Sequence, residues 1–358
     1  MRYDPVMELG IATFADMAGG ISPEQRMREL MEEIELAEEL GLDVFGLGEH
    51  HRPDFLISSP TVVLGAAAVR TNRIRLSSAV TVLSSEDPVR VFQQFAEVDL
   101  LSGGRAEIMA GRGSFTESFP LFGYDLDHYD ELYGEKLELL LALREEGPVN
   151  WSGRHRAALT DTTVWPRPVQ KPLPVWVAVG GSPQSVVRAG ALGLPLTLAI
   201  IGGQPARFAP LIDLYRSSLQ ESGHDASVGK VAINTHAFVA ETRAQADSAF
   251  AAPYLQMMNR IGRERGWPPA GRQQYEALGT PDGALAVGSP EEVAEKILME
   301  HRLFANDRYI AQMSVGAVRH DDVMRSMELF GTKVAPLVRA ELANASTPSP
   351  QPAGDSLN

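Results

Sequence analysis

Four ionisable side chains stand in a row at Glu49-His50-His51-Arg52. An imidazole titrates near neutrality, so a positioned histidine can pass a proton or hold a hydrogen bond to a reacting group. In an extended backbone Glu49 and His51 fall on one side and His50 on the other. The competing reading is a solvated strand end, where charges are common. A metal site is not expected, because the chain contains neither HxH nor HExxH spacing.

A second group of residues suits an anion. Gly111-Arg112-Gly113-Ser114 sets a bidentate donor between two flexible positions; the alternative is a turn with a surface arginine. Gly180-Gly181-Ser182-Pro183-Gln184-Ser185 is the start of a helix. Ser22-Pro23-Glu24-Gln25 and Ser289-Pro290-Glu291-Glu292 place a carboxylate in the first turn, where it complements the helix dipole. Ser59-Pro60-Thr61 lacks that acid but has no glycines before it. The helix after Ser182 has only Gln184 and Ser185 there, so its free N–H groups suit a phosphate. A capped helix without a ligand is the plainer alternative. Ile201-Gly202-Gly203-Gln204 is a further glycine pair, and adjacent glycine-rich turns are a frequent phosphate cradle late in a barrel. The small residues around Ala79, Val80 and Thr81 allow a flat ring to approach the backbone, or simply pack the core. His236 reads equally as a core histidine and as a catalytic one.

These groups need elements to carry them. Short apolar runs at Met7–Thr13, Asp43–Gly48, Ile74–Leu83, Arg105–Gly111, Pro174–Val179, Pro195–Ile201, Lys230–Ala240 and Arg308–Val315 read as strands. Amphipathic runs at Pro23–Leu40, Pro60–Arg70, Val89–Leu101, His128–Arg144, Pro183–Leu192 and Pro205–Glu221, and one from Pro290, read as helices. Repeated strand-then-helix order implies a parallel sheet with right-handed crossovers, and eight units fit a closed (β/α)8 TIM barrel of α/β class. The site residues then follow strand ends, at the C-terminal mouth. Gly147–Lys171 reads as a hairpin or extended insertion and Pro253–Val287 as an insertion containing a mobile loop; both sit at the mouth. Residues 1–344 read as one domain, and 345–358, rich in Ser, Pro and Ala, as a disordered tail.

Composition narrows the partners. A net charge of −14 argues against nucleic acid and against an anionic membrane surface. The absence of cysteine excludes disulfides, thiol nucleophiles, zinc–thiolate sites and iron–sulfur clusters. No apolar run reaches the roughly 18 residues of a membrane span, and the N-terminus lacks a signal-peptide core, so a cytoplasmic location is expected.

In order along the chain stand Glu49-His50-His51, the helix from Pro60, Ser77-Ser78-Ala79-Val80-Thr81-Val82-Leu83, Asp87-Pro88-Val89-Arg90, Gly103-Gly104-Arg105, Gly111-Arg112-Gly113 and Phe122-Gly123-Tyr124-Asp125. Together they resemble the N-terminal half of bacterial luciferase-like monooxygenases. The resemblance spans Met7–Leu342 and is strongest over Met7–Gly202.

It implies a flavin at the barrel mouth. Ala79, Val80 and Thr81 would lie against the ring, at a peptide bond that is often cis in the family. Arg112, Gly113, the turn Gly180, Gly181, Ser182, Gln184 and Ser185, and neighbouring Ile201, Gly202 and Gly203 would hold the phosphate. His50 matches the family histidine of the oxygen chemistry, with Glu49 and His51 beside it. The implied reaction uses reduced FMN and O2 through a C4a-peroxyflavin to oxidise a small organic substrate, with a separate reductase as one source of reduced flavin. Gly111 stands where luciferase itself has a thiol, so neither light emission nor an aldehyde substrate is implied.

Three rivals stay open: hydride transfer with the deazaflavin F420, a non-catalytic flavin-binding barrel, and a metal-dependent hydrolase. The resemblance also implies a homodimer packed through the helices Pro60–Arg70 and Val89–Leu101. The loop Phe115–Tyr133 and the segment Pro253–Val287 are expected to line or cover the pocket, and the substrate itself is not readable.

Overall fold

Leu9, Phe45, Leu76, Ile108, Val177, Leu198, Ile233 and Tyr309 are all fully buried, one from each of eight strands. Such strands are apolar on both faces because helices cover the outside and side chains fill the inside. In the computed structural model, which describes residues 7–17, 20–113 and 115–345, they are β1 (Glu8–Thr13), β2 (Val44–Leu47), β3 (Arg75–Ser78), β4 (Ala106–Gly111), β5 (Val175–Val179), β6 (Leu196–Ile200), β7 (Val231–Val239) and β8 (Arg308–Ser314). Each pairs in parallel with the next, and β8 pairs with β1. The sheet is therefore closed, as expected for a TIM barrel. The expected disordered tail lies outside the described residues apart from Ala345.

Helices α1 (Pro23–Glu39), α2 (Pro60–Arg70), α3 (Pro88–Ser102), α4 (Tyr129–Arg144), α5 (Pro183–Ala191) and α6 (Ala209–Glu221) follow the first six strands. The Ser22 hydroxyl caps α1 by accepting from the Gln25 N–H at 3.1 Å. The helix Pro290–Phe304 opens on a capping box made by Ser289 and Glu292.

The run Ile74–Leu83 is not one strand. It breaks after Ser78 at a cis Ala79–Val80 peptide, and Thr81–Val82 rejoins β4. Glycines on both flanks make room for this kink. A Cβ on Gly46 would lie 2.8 Å from Ala79 Cβ, and one on Gly111 would lie 2.6 Å from Val80 Cγ2.

The segment Gly147–Lys171 forms an antiparallel hairpin, Val149–Trp151 with Leu159–Thr162. The segment from Pro253 departs from expectation. Proline removes a helical N–H and crowds the preceding turn, yet α7 (Arg243–Arg265) runs through Pro253. Phe250, Ala251 and Tyr254 are buried on either side of it, so packing overrides the local preference. A second helix, Arg272–Leu278, follows.

The N-terminal end of the barrel is closed by charge. Arg308 at the start of β8 is almost fully buried and pairs with Glu107 at 2.7 Å and with Glu8 at 2.6 Å, while its guanidinium covers the Trp176 ring at 4.3 Å. Burial acts against both charges, but the pairing more than offsets it: Arg308 is held above its ordinary pKa and Glu107 below. With this plug at the floor, the interior opens at the C-terminal mouth.

Candidate active site

A cavity of about 430 Å3 lies at that mouth. It falls within the usual size of small-molecule sites, and most of its lining is apolar. Phe14, Phe55, Val82, Met109, Ile310 and the half-buried Ala79–Val80 pair form its walls. Met257, Met258 and Ile261 of α7 approach from above, with Arg265 and Trp267 at the end of that helix. The expected contribution of the loop Phe115–Tyr133 and the segment Pro253–Val287 is thus observed: Phe115, Glu117, Ser118 and Tyr129 come from the first and the α7 residues from the second, while Gly147–Lys171 contributes none.

The alternation read at Glu49-His50-His51 holds in three dimensions. His51 Nε2 lies 3.1 Å from Glu49 Oε1. That hydrogen bond raises the His51 pKa, against an opposing effect of burial. The other Glu49 oxygen accepts the Val82 N–H at 2.9 Å, so the buried Glu49 carboxylate ties His51 to the segment after the cis bond. His50 points the other way, into a ring of Phe14, Phe55 and Phe115 with centroids 4.6, 4.4 and 5.0 Å from its own. Its Nδ1 is 3.5 Å from Glu117 Oε1. Burial pushes Glu117 up, but His50 and nearby N–H groups hold it below the usual carboxylate range. Nothing in the sequence pairs Glu117 with His50; the fold brings them together.

Ion pairs hold the cover in place. Arg52 bonds Asp54 at 3.0 Å and Glu264 of α7 at 2.5 Å, and Arg260 of α7 also reaches Asp54. The end of α7 is thereby fastened to the loop that carries His50.

At the other end of the cavity lie Arg112, Gly113, Gly180, Ser182 and Ile201. Arg112 pairs with the exposed Asp130 at 2.6 Å and stands 5.1 Å over the Tyr129 ring, whose hydroxyl donates to Gly113 O at 2.8 Å. Gly113 has φ +81°, a conformation that favours glycine. Helix α5 starts here with no acid in its first turn. The Ser182 side chain makes no cap bond and turns instead to Gln184 Oε1 at 3.1 Å. A Cβ on Gly180 would meet nothing within 4 Å, so the approach to the helix end is open. An uncapped N-terminus beside a guanidinium fits a phosphate, and the apolar walls at the half-buried Ala79 and Val80 fit a flat ring.

Of the other residues singled out for a cofactor, Thr81 and Ser185 are buried, Gly181, Gly202 and Gly203 lie on the turns around this end, and Gln184 is exposed in the first turn of α5; none of them lines the cavity. Ser114 lies outside the described residues. Ionisable groups that the sequence did not single out also reach the cavity. Asp16 accepts the Gly316 N–H at 2.7 Å through one oxygen while the other has no partner, and burial lifts its pKa to about 7. His236, left open by the sequence, is also on the wall.

Outside the cavity His128, Glu131 and His155 converge, with ligand atoms within 4.8 Å of one another. Arg154 bonds the same Glu131 oxygen at 3.0 Å, which makes the cluster a neutralised surface carboxylate. No helix among the described residues is long and apolar enough to cross a membrane.

Comparison with known proteins gives the family and the fold. The chain is 28% identical over 337 residues to 4-hydroxyprotoasukamycin monooxygenase of Streptomyces nodosus subsp. asukaensis, covering 87% of this chain and 88% of that one. It is 31% identical over 167 residues to an F420-dependent glucose-6-phosphate dehydrogenase of Amycolatopsis mediterranei (strain U-32), covering 43% and 48%. It superimposes on the oxygenating constituent of 3,6-diketocamphane monooxygenase of Pseudomonas putida, solved with FMN, at a TM-score of 0.75 and 19% identity, covering 93% and 98%. The luciferase-like monooxygenase profile matches residues 7–307, and this chain belongs to that family of flavin-dependent oxidoreductases, whose members use FMN or F420.

Proposed function

We propose that this chain is an FMN-dependent monooxygenase that takes reduced flavin and O2 and oxidises a small, largely apolar organic molecule. The observation that carries the reading is the convergence on one cavity of the Ala79–Val80 wall, the His50–Glu117 pair, and the Arg112 guanidinium beside the uncapped start of α5. Bound flavin supplies the electrons and the oxygen chemistry. Arg112 and the α5 N–H groups hold its phosphate and orient it. His50, fixed by Glu117 and enclosed by three aromatic rings, moves a proton at the cavity wall. The α7 cover, fastened by Arg52 and Arg260, keeps bulk water out.

FMN is favoured over F420 by the match along 88% of a monooxygenase. The dehydrogenase relative supports the second reading, F420-dependent hydride transfer. Equilibrium titration with reduced FMN and reduced F420 under nitrogen separates the two. Preferential binding of FMN is expected; binding of F420 alone overturns the oxygenase.

Reduced flavin is proposed to come from a separate reductase. A homodimer is proposed through α2 and α3, whose outer faces expose Val62, Val69, Leu100 and Leu101. Light scattering tests this; a monomeric mass at micromolar concentration counts against it.

A further inference from the structure

In a closed ring of eight strands β7 stands four places from β3, so its inward side chains face the Ala79–Val80 wall across the cavity. Two of them are polar, Asn234 and His236, and Gln312 of β8 is the register partner of His236. The remainder of this side is mostly apolar, with Ile310 below and Met257 and Met258 above, and its other polar atoms are those of Thr197 on β6 and of Asp16, which bonds Gly316 just after β8.

His236 is 5% exposed, meets the Tyr254 ring edge-on at 5.7 Å, and has no hydrogen-bond partner for its Nδ1. Among the described residues no hydrogen bond reaches its other nitrogen either. A buried ring nitrogen without a partner has given up its hydration for nothing in return, and a leucine or phenylalanine would pack here at no such cost. Pockets of this kind place a few polar groups in an apolar lining to orient a ligand. Burial also drives the His236 pKa down to about 4, so the ring is neutral and offers one donor and one acceptor. An ionic ligand group is therefore not what it matches.

We propose that His236, with Asn234 and Gln312, is a subsite that hydrogen-bonds an uncharged oxygen of the organic substrate, a hydroxyl or a carbonyl, and turns that molecule toward the β3 wall. The inference rests on the reading that the flavin ring occupies that wall.

The test uses the full chain with 15N-labelled histidine, with and without FMN, and four probes: p-cresol and acetophenone, which carry the oxygen, and toluene and ethylbenzene, which do not. The His236 signal is assigned by its loss in His236→Phe. The polar probes are expected to move the His236 ring nitrogens and the apolar ones to leave them. His236→Phe is expected to weaken p-cresol about fivefold or more, with toluene changed by less than about twofold. His236→Gln, which keeps a donor and an acceptor, is expected to recover most of the p-cresol affinity.

Unmoved ring nitrogens with both polar probes overturn the proposal, as does an equal loss of p-cresol and toluene in the phenylalanine variant. A His236 shift produced by FMN alone assigns the histidine to the cofactor and also overturns it. Failure of the wild type to bind FMN removes the flavin reading instead, and the probe titrations without FMN then show whether the subsite stands by itself.

Discussion

Replacing Arg112 isolates the phosphate end of the site. The guanidinium already has a partner, Asp130, at 2.6 Å. Asp130 is 72% exposed, and such surface pairs contribute about 0–1 kcal/mol. A charge-assisted hydrogen bond to a phosphate is worth about 1.5–3 kcal/mol. Exchange of one for the other leaves a net gain of about 1–2 kcal/mol, so Arg112→Ala is expected to weaken FMN about 5- to 30-fold. Asp130→Asn frees the guanidinium and is expected to tighten FMN by up to about fivefold. Flavin fluorescence measures both, with riboflavin as the control that lacks the phosphate. Neither variant is expected to change riboflavin affinity. An unchanged FMN constant in Arg112→Ala, or an equal loss of riboflavin, refutes the assignment of this end to the phosphate.

Other perturbations test other parts of the account. His50→Ala is expected to bind FMN normally but to slow substrate-dependent O2 consumption about a hundredfold or more, the lower range for loss of a proton-transfer group; unchanged turnover removes His50 from the chemistry. Burial lifts Asp16 to about 7, so between its ordinary pKa and that value the folded chain keeps a proton that the unfolded chain has released, and stability falls as pH rises. In urea titrations the wild type is expected to lose about 2–3 kcal/mol relative to Asp16→Asn between about pH 5 and pH 8; a constant difference refutes this. Gly111→Ala forces a Cβ to 2.6 Å from Val80 Cγ2 and is expected to cost about 1–3 kcal/mol of stability and to weaken FMN; a variant as stable and as tight as wild type shows that the wall yields. Chelator treatment is expected to leave the melting temperature and FMN affinity unchanged, since Arg154 already neutralises Glu131; a lower melting temperature points to a bound metal at His128 and His155.

The parts of the site legible in the sequence are those set by local rules. Period-two alternation separates His50 from Glu49 and His51, and the structure keeps that separation. The missing acid after Ser182 marks α5 as different from the capped helices at Ser22 and Ser289. What stayed hidden depends on distant contacts. Glu117 meets His50 only because β2 and the loop after β4 end at the same rim. Asp16 and Gly316 lie 300 positions apart in the chain. The Arg308–Glu107–Glu8 plug joins three strand starts that read separately as surface charge. Pro253 misleads for a related reason: its local penalty is real, but the buried neighbours Phe250 and Tyr254 decide the conformation of α7.

The most direct measurement is a crystal structure of the protein soaked with FMN. The account predicts the ring against Ala79 and Val80, and the phosphate within hydrogen-bond distance of Arg112 and the first N–H groups of α5. A flavin bound with its phosphate away from both groups, or with its ring off the Ala79–Val80 wall, would contradict it.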